Sequence, residues 1–145
     1  MRSIVELGVG EMGALFRRYG KFCVVGGSGV VVDMAVLGLL ATGLGWNLSL
    51  AKVLAAETAI INNYTWNNLW TFRGRSGVGW RGWLAGLGRF NLICVAGIGW
   101  SVLLLNGGVH GLGLNLYLAN GIAIVLVSLW NFWLSERYGW RQRDR

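Results

Sequence analysis

Apolar residues gather in four long runs, at about residues 22–42, 48–66, 90–106 and 116–134, separated by short polar or glycine-rich intervals. A helix rises ~1.5 Å per residue, so roughly 20 apolar residues cross the ~30 Å hydrocarbon core of a bilayer. The four runs therefore predict four transmembrane helices, an all-α integral membrane fold. Only helices or closed barrels can satisfy their backbone groups in lipid, and runs this long and unbroken suit helices. With connections so short, residues 1–145 read as a single membrane domain that leaves no length for a water-soluble catalytic module.

The pattern occurs twice. Residues 20–73 align without a gap on residues 88–141 at a constant offset of 68, and 14 of the 54 aligned positions are identical, among them Gly29, Asn47, Ala51, Ala55, Asn63 and Arg73. Each copy holds two crossings, an even number, so both copies enter the bilayer with the same orientation. The expected architecture is two parallel two-helix repeats about an axis along the membrane normal.

Charge then fixes the expected sidedness. Arg2, Arg17, Arg18 and Lys21 precede the first run; Arg73, Arg75, Arg81 and Arg89 lie between the second and third; Arg137, Arg141, Arg143 and Arg145 follow the fourth. The other two connections, at residues 43–47 and 107–115, carry no Lys or Arg. Basic residues collect on the cytoplasmic side of short loops, so both termini are expected in the cytoplasm and the protein in the cytoplasmic membrane. The net charge of +7 follows from this bias and from attraction to anionic membrane lipids; no nucleic-acid partner is expected. Residues 1–18 do not read as a signal peptide. Val5, Val9, Met12 and Phe16 share a helical face, and the segment is expected as a short interfacial helix.

Composition narrows the chemistry further. The chain is 54% hydrophobic and 13% charged, with a mean hydropathy of +0.52. It has 24 glycines and no proline. Ala51, Ala55 and Ala59 recur every fourth residue, with Ala119 and Ala123 at the matching positions, a spacing that lets helix backbones approach closely. The stretch 24–29 has the glycines of a dinucleotide fingerprint, but Val32 stands where its third glycine belongs and no strand precedes it. Two cysteines and one histidine build neither a metal site nor a nucleophilic pair. No enzymatic activity and no cofactor is expected.

Inside the apolar runs the sharper signal is polar. Asp33, Lys52 and Glu57 each cost about 2.5–3.5 kcal/mol at a helix centre, so such residues face a protein interior or a wet cavity. Lys52 is able to pair with either acid. Two readings stand side by side: an ion pair that fixes the first crossing against the second, and a polar lining for a path through the bilayer. At offset 68 the three become Ser101, Asn120 and Val125, so the second copy has lost the charges. A second constellation closes the second run, Asn62-Asn63-Tyr64-Thr65-Trp66-Asn67-Asn68-Leu69-Trp70-Thr71-Phe72-Arg73. Its tryptophans suit the headgroup boundary and Arg73 suits a phosphate, while the asparagines demand hydrogen-bond partners.

The opening Arg18-Tyr19-Gly20-Lys21-Phe22-Cys23-Val24-Val25-Gly26, Asp33, and the block from Asn63 through Asn67 and Trp70 to Arg73 resemble the GtrA-like family over about residues 18–141. Members are small four-helix membrane proteins associated with polyprenyl-phosphate-linked sugars, and similar segments are fused to some polyprenyl-phosphate mannosyltransferases. The resemblance implies translocation of a polyprenyl-phosphate-linked monosaccharide across the membrane for cell-surface polysaccharide glycosylation. Arg18, Lys21, Arg73, Arg89 and Arg141 would then gather the lipid phosphate. Asn62, Asn63 and Asn67, with Trp70 beside them, would meet the sugar, and Asp33, Lys52 and Glu57 would line its route. The rival reading is a noncatalytic anchor or stabilising subunit for a membrane glycosyltransferase, docked through residues 73–89. A small multidrug exporter suits the length, yet leaves the one-sided charge and the asparagine block without a role. Four crossings make a thin bundle for a bulky sugar, so a parallel homo-oligomer is expected.

Overall fold

The computed structural model describes residues 4–75 and 79–140. Within them the fold is all-α, with four long helices, α1 (Ile4–Leu37), α2 (Leu48–Trp66), α3 (Gly79–Asn106) and α4 (Leu116–Leu134). The chain divides into two compact units, Met1–Gly74 and Arg75–Arg145.

In the first unit α1 packs antiparallel on α2. The link between them is local chemistry. The end of α1 widens into a π-helical turn, Gly38–Gly43. Gly45, at φ +68°, then reverses the chain in the left-handed region where a side chain is unwelcome. Asn47 caps α2, its Oδ1 accepting from the backbone N–H groups of Ser49 at 3.0 Å and Leu50 at 3.2 Å. The seam between the helices is built from small residues. Ala51, Ala55 and Ala59 are buried, with Phe22 and Val25 of α1 also in the core. Where no hydrophobic force drives helices together in lipid, such close backbone approach is what dispersion needs.

The second unit pairs α3 with α4 by the same devices. A π-helical turn, Gly107–Gly111, ends α3, and Gly113 turns the chain at φ +64°. Ala119 and Ala123 are buried with Phe90, Ile93 and Phe132. Contacts recur at the offset of 68: Phe22 meets Phe72 edge-on at 6.4 Å, and Phe90 meets Trp140 edge-on at 5.5 Å. Gly29 lies against Asn63, as Gly97 lies against Asn131.

Two expectations need revision. Residues 4–18 do not form a helix of their own, because α1 runs unbroken from Ile4 into the first apolar run. With no proline before Leu37, no residue of α1 lacks the backbone N–H its hydrogen-bond ladder needs. Apolar length also does not single out four spans equally. Gly10–Gly43, Gly79–Gly111 and Leu118–Gly139 are long and apolar enough to cross a membrane. The 19-residue α2 is not among them, since Lys52, Glu57, Asn62 and Asn63 dilute its apolar content.

Candidate functional site

The polar residues of the first unit fall along the α1–α2 seam. Nearest the basic end, Lys21 holds its Nζ 5.3 Å from the centre of the Trp70 ring, a cation–π contact that fixes a positive charge beside an amphipathic indole. Arg18 is half-buried one turn earlier on α1, and Arg73 is exposed just past the end of α2. The helix ends there in a third π-helical turn, Asn67–Thr71, closed by the Phe72 N–H donating to the Asn67 carbonyl at 2.8 Å.

This turn carries the most unusual atoms of the unit. Asn67 is 1% and Thr71 5% exposed, and neither Asn67 Oδ1 nor Thr71 Oγ1 has a hydrogen-bond partner. Each such group costs about 1–3 kcal/mol relative to a satisfied one. A single additional turn of π-helix is a wide, costly geometry that tends to accompany function. The two orphaned oxygens present acceptors to any hydroxyl-bearing group that reaches them.

Further along, Asn62 donates from Nδ2 to Ser28 Oγ at 3.1 Å, and Ser28 in turn donates to the Val25 carbonyl at 2.7 Å. Asn63 lies so close to Gly29 that a Cβ there would overlap its amide. Deeper still, Lys52 Nζ reaches both oxygens of Asp33, at 2.9 and 2.6 Å. Lys52 therefore pairs with Asp33 of its two candidate acids. The side chain of Asp33 is 21% exposed and that of Lys52 54%. Glu57 is exposed on α2, between the ion pair and the asparagines in sequence.

Twelve residues separate Lys21 from Asp33 on one continuous helix, so the polar seam extends ~18 Å at ~1.5 Å per residue. Of the expected site residues, Arg18, Lys21, Asp33, Lys52, Asn62, Asn63, Asn67, Trp70 and Arg73 belong to this seam or its rim. Arg89 is exposed on α3 in the second unit, and Arg141 lies outside the described residues. Ser28, Gly29 and Thr71 were not anticipated. Gly29 and Asn63 nevertheless carried a signal in the sequence, since both are identities of the internal alignment; that they touch is what the structure adds. Among the described residues, no group of three His, Cys, Asp or Glu is placed to hold a metal ion.

The counterpart in the second unit is partly preserved. Asn131 Oδ1 and the fully buried Ser135 Oγ also lack partners, and a π-helical turn, Ser135–Gly139, follows α4. Its rim is tied differently, by an Arg75 Nη1–Glu136 Oε1 ion pair at 2.5 Å.

The model of the GtrA/DPMS transmembrane domain matches residues 21–140. The chain belongs to the GtrA/DPMS transmembrane-domain family. The match begins at Lys21 and ends at Trp140, so it takes in α2, α3 and α4, the part of α1 from Lys21 onward and the polar seam from Lys21 to Asp33, while Arg18 precedes it. A stretch of 53 residues is also 42% identical to the dolichol-phosphate mannosyltransferase of Pyrococcus furiosus. That stretch is 37% of this chain and only 15% of the mannosyltransferase. The GtrA/DPMS assignment supports an association with polyprenyl-phosphate sugars and a location in a membrane.

Proposed function

We propose that this GtrA/DPMS domain moves a polyprenyl-phosphate-linked monosaccharide across the cytoplasmic membrane, supplying sugar for cell-surface polysaccharide. The observation that carries the reading is the polar seam, which continues from the basic and aromatic rim at Lys21 and Trp70 to the Asp33–Lys52 ion pair. A lipid-linked sugar has an anionic phosphate, a ring of hydroxyls and an apolar tail. Lys21, Arg18 and Arg73 supply cations for the first, and Asn62, Asn67 and Thr71 supply hydrogen-bonding groups for the second. Asp33, Lys52 and Glu57 keep the route wet while the tail stays in lipid. No reaction is assigned to the chain.

In this reading the four helices each cross the bilayer, as two parallel repeats with cytoplasmic termini, and α2 is carried into lipid by its small-residue seam with α1 despite its polar content. The recurrence of the Gly–Asn, aromatic and alanine contacts at offset 68 supports a duplication. The charge bias supports the sidedness, and any homo-oligomer would be parallel for the same reason. In a background lacking Cys23 and Cys94, a cysteine at Gly111 should react with an impermeant reagent added outside cells, and one at Trp80 should not. Outside labelling at Trp80 would reverse the orientation.

Liposomes test the transport itself. Purified protein should accelerate the passage of a polyprenyl-phosphate hexose between leaflets; a rate equal to that of protein-free vesicles would leave the second reading. That reading is a noncatalytic anchor for a membrane glycosyltransferase, favoured by the match to part of a mannosyltransferase. At the rim, Arg73→Ala should weaken binding of a polyprenyl-phosphate lipid by about 1 kcal/mol, the worth of one basic side chain near an anionic headgroup. Unchanged affinity in a folded variant removes Arg73 from the site.

A further inference from the structure

Four aromatic rings of the second unit run in unbroken contact. Trp100 of α3 meets Trp130 of α4 at 5.8 Å, Trp130 meets Trp133 at 5.8 Å, and Trp133 meets Tyr138 at 6.3 Å. Beyond the last ring the Arg137 guanidinium lies 5.9 Å from the Tyr138 centroid. All four rings are between about a third and a half exposed. At offset 68 the same positions of the first unit hold Val32, Asn62, Thr65 and Trp70. At two of these positions an amide and a hydroxyl of the first unit, Asn62 and Thr65, are thus replaced by indoles, Trp130 and Trp133, in the second.

An interfacial belt accounts for only part of this row. Tryptophans of a belt sit at headgroup level, a depth that suits Tyr138 and Trp133 beside Arg137. Trp130 is eight residues before Tyr138, ~12 Å away along a helical rise, and Trp100 packs on it at that depth. We infer that this ladder seats the polyprenyl chain of an anionic lipid, with the lipid phosphate at Arg137. The inference rests on the proposed handling of lipid-linked sugars and gives the second unit a seat of its own for such a lipid, in addition to the lipid whose phosphate meets Lys21, Arg18 and Arg73 of the first unit. A cation at one end of an apolar row calls for an amphiphile whose anionic head joins directly to its tail. The row is one ring wide, which fits a single chain and not the paired acyl tails of a phospholipid. The rings are tilted against one another, by 60°, 36° and 83° along the row, so a branched, bent chain can follow them, and dispersion grows with the contact it makes.

Chain length separates the tail from the head. Binding of undecaprenyl phosphate and of geranyl phosphate, whose short chain ends near Tyr138, is measured by native mass spectrometry on the full chain. The double variant Trp100→Leu/Trp130→Leu keeps apolar volume, and circular dichroism checks its fold. It should bind undecaprenyl phosphate about tenfold more weakly, as expected when aromatic contact is removed from a buried apolar chain, and bind geranyl phosphate as the parent does. Arg137→Gln should weaken both lipids alike. An equal loss for both lipids in the tryptophan variant, or no loss for either, overturns the track. A shift in oligomeric state without a change in lipid binding also overturns it, by assigning the ladder to a second copy of the chain. If the parent binds neither lipid, the proposed function falls as well; if the parent binds and translocates while the tryptophan variant binds both normally, only the track is lost.

Discussion

Gly29→Ala will destabilise the first unit, and Asn63→Ala will restore much of the loss. In a helix interior, exchanging Gly for Ala ordinarily stabilises by up to ~1 kcal/mol, so a loss here is diagnostic. A Cβ on Gly29 would overlap the Asn63 amide, contacting its Oδ1, Nδ2 and Cγ. Two packed helices must separate or Asn63 must leave its position, and overpacking of this kind costs about 1–3 kcal/mol. Gly27→Ala is the internal control, because nothing lies within 4 Å of its Cβ position. Thermal unfolding of the purified protein should order the variants as Gly27→Ala at or above the parent, Gly29→Ala well below it, and Gly29→Ala/Asn63→Ala between them. Strictly additive losses in the double variant would mean that the two residues do not constrain each other. The same cycle is expected for Gly97 and Asn131, where a Cβ would stand 2.6 Å from Asn131 Oδ1.

That contact also marks how far the sequence could be read. Helical class, the two-fold pattern of apolar runs and the alanine seam are properties of spacing, and spacing survives in a linear string. Ala51, Ala55, Ala119 and Ala123 are buried as the period of four predicts. The Asp33–Lys52 partnership was open because Lys52 is long enough to reach either acid, and only its rotamer decides. The unbroken α1 was missed because a change from basic to apolar residues looks like a boundary, whereas hydrogen bonds along a helix are indifferent to that change. The π-helical turn at Asn67–Thr71 has no sequence signature at all. It accompanies the edge-on contact of Phe72 with Phe22 and the burial of Asn67 and Thr71, whose two oxygens are left without partners. Ser28 escaped notice for a different reason: it sits among glycines that pointed toward packing, and its role depends on Asn62 from the other helix.

If the protein translocates a lipid-linked sugar as proposed, Asp33→Asn will leave it folded and inserted, yet slow delivery of sugar to the outer leaflet by about tenfold or more. The structure separates these two outcomes better than the sequence did. Lys52 is 54% exposed, so on losing its partner it can extend its ammonium toward the outer surface along its aliphatic stem. Once the ammonium reaches the surface no lone cation stays buried, and thermal stability should fall little. Transport differs because a carboxylate accepts hydrogen bonds from passing hydroxyls, each worth about 1.5–3 kcal/mol when the acceptor is charged. An amide keeps the shape of Asp33 but surrenders half of that acceptance, and ~1.4 kcal/mol at a barrier is a tenfold change in rate. The opposite result has its own signature. If Asp33 serves only to hold α1 against α2, Asp33→Asn should lower stability, and adding Lys52→Met should recover it, since no lone cation then remains. A stable Asp33→Asn protein that delivers sugar at the parent rate would remove Asp33 from the route. It would also shift the weight of the polar seam toward holding the first helix pair together beneath a partner enzyme.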